Sequence, residues 1–191
     1  MRINIKNYIT KYLDESLRVA EIQNSLVDEI ENLTEIILKS LKDGNKLLIC
    51  GNGGSASDSQ HFAAEFVGRF KNDKKPLAAI ALTTDTSVLT SIGNDYGFEY
   101  VFSKQVEALG KKGDVLIVIS TSGSSPNIIN ALKEGKRKGL YTISFVGENV
   151  ESIEDLCDFF ISIPSKETGV IQQAHITLLQ VIAGAVENSL I

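Results

Sequence analysis

The spacing of the hydrophobic residues changes near residue 45. Between residues 6 and 42 they recur at mixed steps of three and four, which predicts two helices before the turn at Asp43-Gly44-Asn45. From Leu47 onward, short apolar runs alternate with longer amphipathic segments. This alternation predicts a parallel sheet with helices on both faces, and ligands bound at the carboxyl ends of the strands.

Five apolar runs are predicted to form the strands, at residues 47–50, 77–82, 114–119, 141–146 and 159–163. Helices are predicted from Ser55, from the cap at residues 83–85 to about Ile92, over 98–109, over 127–138, and from Glu167 to about Asn188. Because no linker rich in Pro, Gly or Ser interrupts this order, we expect residues 1–191 to form one domain. The fold class is α/β, a three-layer sandwich with a five-stranded parallel sheet plus N-terminal helices.

The connection after the first strand is rich in glycine. Gly51, Asn52, Gly53 and Gly54 break the strand, and Ser55 with Asp58 is predicted to cap the following helix. Such a loop is either only a tight turn between strand and helix or an anion site, since the free N–H groups and positive dipole end of the helix favour an anion. The spacing matches neither G-x-G-x-x-G nor a P-loop, so a nucleotide is disfavoured.

His61 and Glu65 lie four residues apart on this predicted helix and therefore point from one face. A histidine beside Phe62 could belong to the core. A carboxylate on the same face, just past a polar loop, is harder to explain by packing. An acid–base or metal-binding pair next to an anion site indicates sugar-phosphate chemistry.

The third predicted strand leads into a second polar loop, Ser120-Thr121-Ser122-Gly123-Ser124-Ser125-Pro126. Five hydroxyls exceed what a helix cap uses, and the proline suits the first helical turn. The loop therefore predicts phosphate binding by hydroxyl and backbone N–H donors. A turn predicted over residues 93–97 contains Asn94 and Asp95, which either orient sugar hydroxyls or form an Asx turn between two helices.

Composition narrows the range of partners. The chain has 191 residues, is 43% hydrophobic and carries a formal net charge of −5. Without a stripe of Lys and Arg, nucleic acid is not an expected direct partner. The N-terminus lacks the apolar region of a signal peptide, and no run reaches the roughly 18 residues of a membrane span. We therefore expect a cytoplasmic protein without a membrane partner. Cys50 and Cys157 show no metal-binding spacing and are predicted to be small buried residues.

Apolar residues cover more than one stripe of the N-terminal helices and of the closing helix. On the closing helix they are Ala174, Ile176, Leu178, Leu179, Val181, Ile182, Ala185 and Val186. A helix that is apolar nearly all round usually packs against a second partner, and we expect another subunit to be that partner.

Three stretches closely resemble the sugar isomerase (SIS) domain family, and within it the phosphoheptose isomerases: GNGGSASDSQHFAAEFVGRF, ALTTDTSVLTSIGNDYGFEYVFSKQVEALG and ISTSGSSPN. The resemblance extends over essentially the whole chain and implies a flavodoxin-like SIS fold. It implies an isomerase that converts sedoheptulose 7-phosphate to D-glycero-D-manno-heptose 7-phosphate for bacterial heptose and lipopolysaccharide. It also implies a homotetramer with shared sites, in which the helical hairpin at residues 1–45 takes part in oligomerisation.

The resemblance further implies roles for individual residues. Glu65 is the expected general base, and His61, Glu65 and Gln172 are the expected ligands of one zinc ion per subunit. The expected substrate-binding residues are Asn52, Gly53, Gly54, Ser55, Glu65, Asn94, Asp95, Ser120, Thr121, Ser122, Ser125 and Gln172.

The closing helix departs from the family pattern. Where the family has an Arg-Ile-Gln-Glu run and then two histidines, this chain reads Val-Ile-Gln-Gln at residues 170–173, then His175, then Gln180. Gln180 holds the place of the second histidine, a zinc ligand and catalytic proton-transfer group, but an amide cannot exchange protons near neutral pH. His175 is predicted to pack against the core.

Two classes of function therefore stay open. One is an active ketose–aldose isomerase. The other is a non-catalytic SIS protein, similar to the DnaA initiator-associating protein, that binds a protein partner. The presence of His61, Glu65, Asn94 and Asp95 favours the isomerase, because a scaffold has no chemical need for them.

Overall fold

The computed structural model describes residues 4–190 and begins with the two predicted helices. Helix α1 spans Ile5–Gln23 and α2 spans Val27–Lys42, with a 3-10 turn at Asn24–Leu26 between them. Asn4 caps α1 by accepting a hydrogen bond of 3.2 Å from the N–H of Asn7. The predicted turn after α2 is confirmed.

All five predicted strands are present and pair in parallel. They are β1 (Leu47–Gly51), β2 (Ala79–Ala81), β3 (Val115–Ser120), β4 (Tyr141–Val146) and β5 (Phe159–Ser162), in the order β2-β1-β3-β4-β5. Strand β2 is shorter than predicted, because it lies at the sheet edge and the N–H of Leu77 bonds to the carbonyl of Phe66 instead. The predicted parallel sheet is confirmed.

Five further helices follow the strands: α3 (Gly54–Val67), α4 (Thr86–Asp95), α5 (Ser103–Leu109), α6 (Pro126–Lys138) and α7 (Thr168–Asn188). Asp85 caps α4 by accepting from the N–H of Val88. The predicted end of this helix at Ile92 was wrong, because Gly93 continues the helix and the chain turns only at Gly97, whose φ is +105°. The predicted helix over 98–109 is divided into a 3-10 turn at Phe98–Tyr100 and α5.

The sheet separates two hydrophobic cores. Alternate strand residues such as Leu47 and Ile49 face α1, α2, α3 and α7, whereas Leu48 and Cys50 face α5 and α6. Helices thus cover both faces, which confirms the three-layer arrangement. Cys50 lies in the second core as predicted, and burial raises the pKa of its thiol.

Helix α7 is a core helix. It is long and apolar enough to span a bilayer, with a mean hydropathy of 1.3, but half of that window is buried inside the chain. Most of the α7 residues that we expected to meet another subunit are buried in this core, and Val181 is 50% exposed. On α1, one of the N-terminal helices for which a partner was also expected, an apolar stripe is exposed: Ile9, Leu13 and Leu17 are all more than half exposed.

Candidate active site

The two polar loops meet at the carboxyl ends of the neighbouring strands β1 and β3. Strand β1 has β2 on one side and β3 on the other, so the chain changes its winding direction between β1 and β3. Parallel α/β sheets bind ligands in the crevice at such a switch point. Gly51 is in register with Ile119, which places the glycine loop directly beside the serine loop.

The glycine loop brings backbone close to the start of α3. Gly53 has φ +55°, a left-handed conformation that side chains rarely adopt, and it occupies the N-cap of α3. The predicted cap at Ser55 was therefore wrong, since Ser55 lies inside the first turn and is buried. The side-chain amide of Gln172 lies so close to Gly54 that a Cβ atom there would overlap it. The structure thus brings together Gly54 and Gln172, residues 118 positions apart in the sequence.

Asn52 has a partner that sequence reasoning missed. Its side chain and that of Asn127 exchange two hydrogen bonds, each 2.9 Å long. Asn127 lies in the first turn of α6 and is only 3% exposed. Its place directly after Pro126, at the end of the serine loop, was the only available signal.

The predicted pair on α3 is formed. His61 Nε2 lies 2.9 Å from Glu65 Oε1, with the imidazole about half exposed and the carboxylate largely covered. One turn before His61, Asp58 keeps a buried carboxylate oxygen that has no hydrogen-bond partner among residues 4–190. Burial raises the pKa of Asp58, and the neighbouring His61 acts in the opposite direction. Imidazole and carboxylate groups are therefore concentrated on one face of α3.

Helices α3 and α7 pack side by side and run in the same direction. Gln172 contacts the beginning of α3, whereas Gly184 packs against the ring of Phe70, just beyond its end. Each helix rises about 1.5 Å per residue, so Gln180 lies roughly 12 Å beyond Gln172. The same distance, measured along α3 from Gly54, reaches the level of His61. Gln180 is thus at the height of the His61–Glu65 pair and is partly buried.

A buried carboxylate joins the last turn of α7 to the segment that follows α3. Glu187, in the last turn of α7, accepts hydrogen bonds of 2.8–2.9 Å from the N–H groups of Phe70, Lys71 and Asn72. Desolvation acts to raise the pKa of Glu187, but these backbone donors outweigh it and the net shift is downward. Sequence reasoning missed this residue, which looked like one more surface charge.

His175 lies away from the pair, in the core. It is fully buried, and its Nε2 donates to the carbonyl of Val146 over 3.1 Å. Its Nδ1 has no partner among the described residues. Burial lowers the pKa of His175 to about 4. The neutral, packed ring agrees with the role that the sequence predicted.

The serine loop forms one wall of a cavity of about 290 Å³ at the sheet edge. Ser120 is buried and its Oγ accepts from the N–H of Gly123, while Ser125 stands at the N-cap of α6. Thr121 and Ser122 line the cavity. The opposite wall comes from the segments after β4 and β5 and was not predicted: Glu148, Asn149, Ser165, Lys166, Thr168 and Ile171.

Lys166 changes the expected electrostatics of this cavity. Its ammonium lies 3.6 Å from the carboxylate of Glu148, and both side chains are well exposed. An anion in the cavity would therefore meet an exposed ammonium group as well as hydroxyls. The position directly after the fifth strand, at the same sheet edge as the two loops, was a signal for this wall.

Asn94 and Asp95 are not hydrogen-bonded to these groups in the described chain. They occupy the last turn of α4, are exposed, and share a hydrogen bond of 2.8 Å between Asn94 Nδ2 and Asp95 Oδ1. The hydrogen bonds of the described chain do not connect them to the loops or to His61.

Comparison with known proteins gives consistent matches over most of the chain. The SIS domain profile matches residues 11–147. A phosphoheptose isomerase from Clostridium acetobutylicum is 47% identical over 189 residues, covering 97% of this chain and 96% of that protein. One from a Bradyrhizobium species is 51% identical over 171 residues, covering 90% of this chain and 86% of the relative.

Solved structures agree with this fold. A phosphoheptose isomerase from Neisseria gonorrhoeae superposes with a TM-score of 0.90 at 42% identity, over 97% of this chain and 100% of that one. The enzyme from Francisella tularensis gives a TM-score of 0.93 at 32% identity, with the same coverage.

Proposed function

Because this chain belongs to the SIS domain family, and within it to the phosphoheptose isomerases, we propose that it converts sedoheptulose 7-phosphate to D-glycero-D-manno-heptose 7-phosphate. This product is the precursor of the heptose in bacterial lipopolysaccharide and other surface glycans. The observation that carries the proposal is the His61–Glu65 pair, which lies on the helix that the glycine loop begins.

The reaction moves a carbonyl from C2 to C1. A base removes a proton from C1 to give an enediol and delivers it to C2, while a second proton moves between the two oxygens. Glu65 is the proposed base, since its carboxylate is largely covered and is oriented by the imidazole of His61. The developing oxyanion requires hydrogen-bond donors, which the loop N–H groups and the amide of Gln172 supply.

The phosphate is proposed to bind in the 290 Å³ cavity beside the serine loop. Hydroxyls of Ser120, Thr121, Ser122 and Ser125, backbone N–H groups and Lys166 are its donors. Asn52, Gly53, Gly54 and Ser55 would contact the sugar next to it. A phosphate held away from the reacting carbons supplies binding energy that orients them.

A zinc ion is proposed as cofactor, one per subunit. His61, Glu65 and Gln172 offer an imidazole nitrogen, a carboxylate and a carboxamide oxygen, and catalytic zinc sites use three protein ligands with one open position. Within residues 4–190 no three His, Cys, Asp or Glu side chains are placed together so that they could hold a metal ion, so the proposed third ligand is an amide. The types of donor fit zinc, but within one chain Gln172 contacts Gly54, seven residues before His61 on α3, and no hydrogen bond of the described residues joins it to the pair. Zinc bound there would polarise the sugar carbonyl.

The non-catalytic alternative, a protein-binding SIS protein, is not favoured. The relatives above carry an enzyme name, and the acid–base pair is intact. Gln180 is the one departure at the reaction centre. An amide there can orient a hydrogen bond but cannot carry the second proton, so water or another group must do so.

Assembly and location complete the proposal. The exposed stripe on α1, at Ile9, Leu13 and Leu17, is the surface that we propose to be covered in a homotetramer. Shared sites in that tetramer would account for Asn94 and Asp95, which make no hydrogen bond to the pair within one chain. The proposed location is the cytoplasm, where sugar phosphates are made and consumed.

The decisive test is an assay of the purified protein. Incubation with sedoheptulose 7-phosphate should yield the aldose by NMR. Glu65→Gln should lower turnover about 100- to 10,000-fold, because Gln keeps the shape of Glu without its basicity. Glu29→Gln, an exposed residue of α2, is the matched control and should retain full activity. Absence of the aldose with zinc supplied would reject the proposed function.

A further inference from the structure

Helix α1 is bonded directly to one wall of the proposed phosphate cavity. Ser165 is 3% exposed, and its Oγ donates to Glu15 Oε1 over 2.6 Å. Arg18 donates to the carbonyl of Pro164 over 2.5 Å. The same guanidinium binds both carboxylate oxygens of Glu15, at 2.8 and 2.7 Å. Glu15 and Arg18 are therefore hydrogen-bonded to two consecutive residues of the segment after β5, Ser165 and Pro164.

This segment, residues 163–167, leads from the sheet edge into α7. Ser165 and Lys166 line the cavity opposite Thr121 and Ser122. The Oγ of Ser165 also accepts from the N–H of Glu167, the N-cap of α7. One hydroxyl thus joins α1, the cavity wall and the start of the helix that carries Gln172.

The hydrogen bonds to Glu15 are charge-assisted and therefore stronger than hydrogen bonds between neutral groups. Bidentate pairing of a guanidinium with a carboxylate combines charge with fixed geometry. The hydrogen bonds from Arg18 and Ser165 lower the pKa of Glu15 to about 2. The carboxylate therefore stays ionised at any pH at which the protein would work.

We propose that Glu15 and Arg18 are positioning residues for the phosphate cavity: they hold residues 163–167 at the distance from the serine loop that a phosphate requires. The inference rests on the proposed function, because it takes this cavity to be the phosphate subsite. Neither side chain is assigned a contact with the substrate. A substitution that removes these hydrogen bonds should therefore weaken phosphate binding and leave the proton transfer at Glu65 unchanged.

The test variant is Glu15→Gln, which keeps the shape of the side chain but loses the charged acceptor. We expect the KM for the sugar phosphate to rise roughly tenfold, the effect of losing one charge-assisted hydrogen bond, with kcat within twofold of wild type. The Kd for inorganic phosphate, measured by calorimetry, should rise by a similar factor. A general loss of folded protein would instead lower the apparent kcat.

The chain offers a matched control on α6. Arg137 and Glu134 form the same i, i+3 bidentate pair, at 2.8 and 2.6 Å, without a bond to the cavity wall. Glu134→Gln should leave KM and the phosphate Kd unchanged. If Glu15→Gln does not fold, Arg18→Lys replaces it, since Lys keeps the charge but not the fork.

Failure of this inference is distinct from failure of the proposed function. A wild-type protein that binds phosphate tightly but gives no aldose would reject the isomerase, while a weaker phosphate Kd in Glu15→Gln would still support the positioning role. Unchanged KM and phosphate Kd in both Glu15→Gln and Arg18→Lys would overturn it. Equal effects of Glu134→Gln would overturn it as well.

Discussion

Asn52 and Asn127 face each other across the switch point of the sheet and exchange two hydrogen bonds of 2.9 Å. Asn52 belongs to the loop after β1, and Asn127 begins α6 after β3. The pair therefore fixes the distance between the loop next to the proposed reaction centre and the loop next to the proposed phosphate. Two ends of one substrate need that distance to be constant.

Asn127→Ala should weaken both the fold and the binding of the sugar phosphate. It leaves the amide of Asn52 without its partner, which costs about 1–3 kcal/mol when the group stays partly buried. Urea unfolding measures the stability, and the KM reports on binding. Asn130→Ala, at a half-buried position of the same helix, is the control, since Asn130 donates to the carbonyl of Glu99 and not to either loop. Equal losses in both variants would contradict a special role for the pair.

Much of the fold followed from local sequence pattern. The strands could be predicted because parallel strands buried on both faces are continuous apolar runs, as at residues 115–119, which are all fully buried. The two loops could be predicted because glycine and serine cluster where a strand gives way to a helix. The end of α4 was missed because Gly93 is a weak helix breaker, and its neighbours outweighed it.

The supporting hydrogen bonds could not be predicted, and only the position after the fifth strand indicated the second cavity wall. Asn127, Glu187 and Glu15 make contacts with residues far away in the chain. Only Asn127 has a neighbouring signal, its place directly after Pro126, whereas nothing next to Glu187 or Glu15 marks them as different from surface residues. Such contacts depend on how the helices pack on the sheet. Periodicity predicts which face of a helix is buried, but not which polar side chain meets which loop.

The serine loop predicts a difference between phosphorylated and free sugars. At a hundred times its Kd, a sugar phosphate should stabilise the fold by about 2.7 kcal/mol, which for a chain of this size raises Tm by roughly 5–10 °C. The unphosphorylated sugar should have much less effect. Ser120→Ala combined with Ser122→Ala should abolish the difference, whereas Ser124→Ala should retain it. Equal shifts from both sugars would reject the phosphate assignment.

The exposed stripe on α1 predicts an oligomer. Leu13 and Leu17 are 56% and 66% exposed in the single chain, and burying them against another subunit would remove apolar surface from water. Light scattering at micromolar concentration should give the mass of a tetramer. Leu13→Lys combined with Leu17→Lys should shift the mass toward smaller species without loss of helical content by circular dichroism. A monomeric wild type would refute the assembly.

Buried His175 predicts acid sensitivity. Its pKa is about 4 in the folded protein and near 6.5 when unfolded, so between these values the unfolded chain binds the extra proton. Stability should therefore be complete above pH 6.5 and fall as the pH drops toward 4, by a total of about 3 kcal/mol. Urea unfolding at several pH values measures this slope.

His175→Phe should remove the contribution of His175 to the fall in stability between pH 6.5 and 4, because the side chain of Phe has no group that binds a proton. The ring of Phe145 lies edge-on, 6.1 Å from the imidazole, so an aromatic replacement can keep part of the packing. Other acidic and basic groups will still contribute to the acid unfolding of both proteins. An identical pH dependence in the variant and the wild type would contradict the assignment.

The sharpest prediction concerns Gln180, which lies at the height of His61 and Glu65 on the neighbouring helix. Gln180→His should raise turnover, zinc affinity or both, because an imidazole can exchange protons near neutral pH and is a stronger zinc ligand than an amide. Gln180→Leu, which removes the amide without adding such a group, is the matched control and should give no gain. Kinetics with added zinc, together with zinc binding measured by calorimetry, separate the two effects.

Each outcome of this experiment assigns a role to the position. A gain that depends on zinc indicates that residue 180 reaches the metal, and a gain in turnover alone indicates proton transfer. Glu65→Gln should remove the activity in either background, because the first proton transfer still requires its carboxylate. If neither the wild type nor Gln180→His forms the aldose with zinc supplied, catalysis by this chain is rejected, and a protein-binding role for the same fold becomes the better explanation.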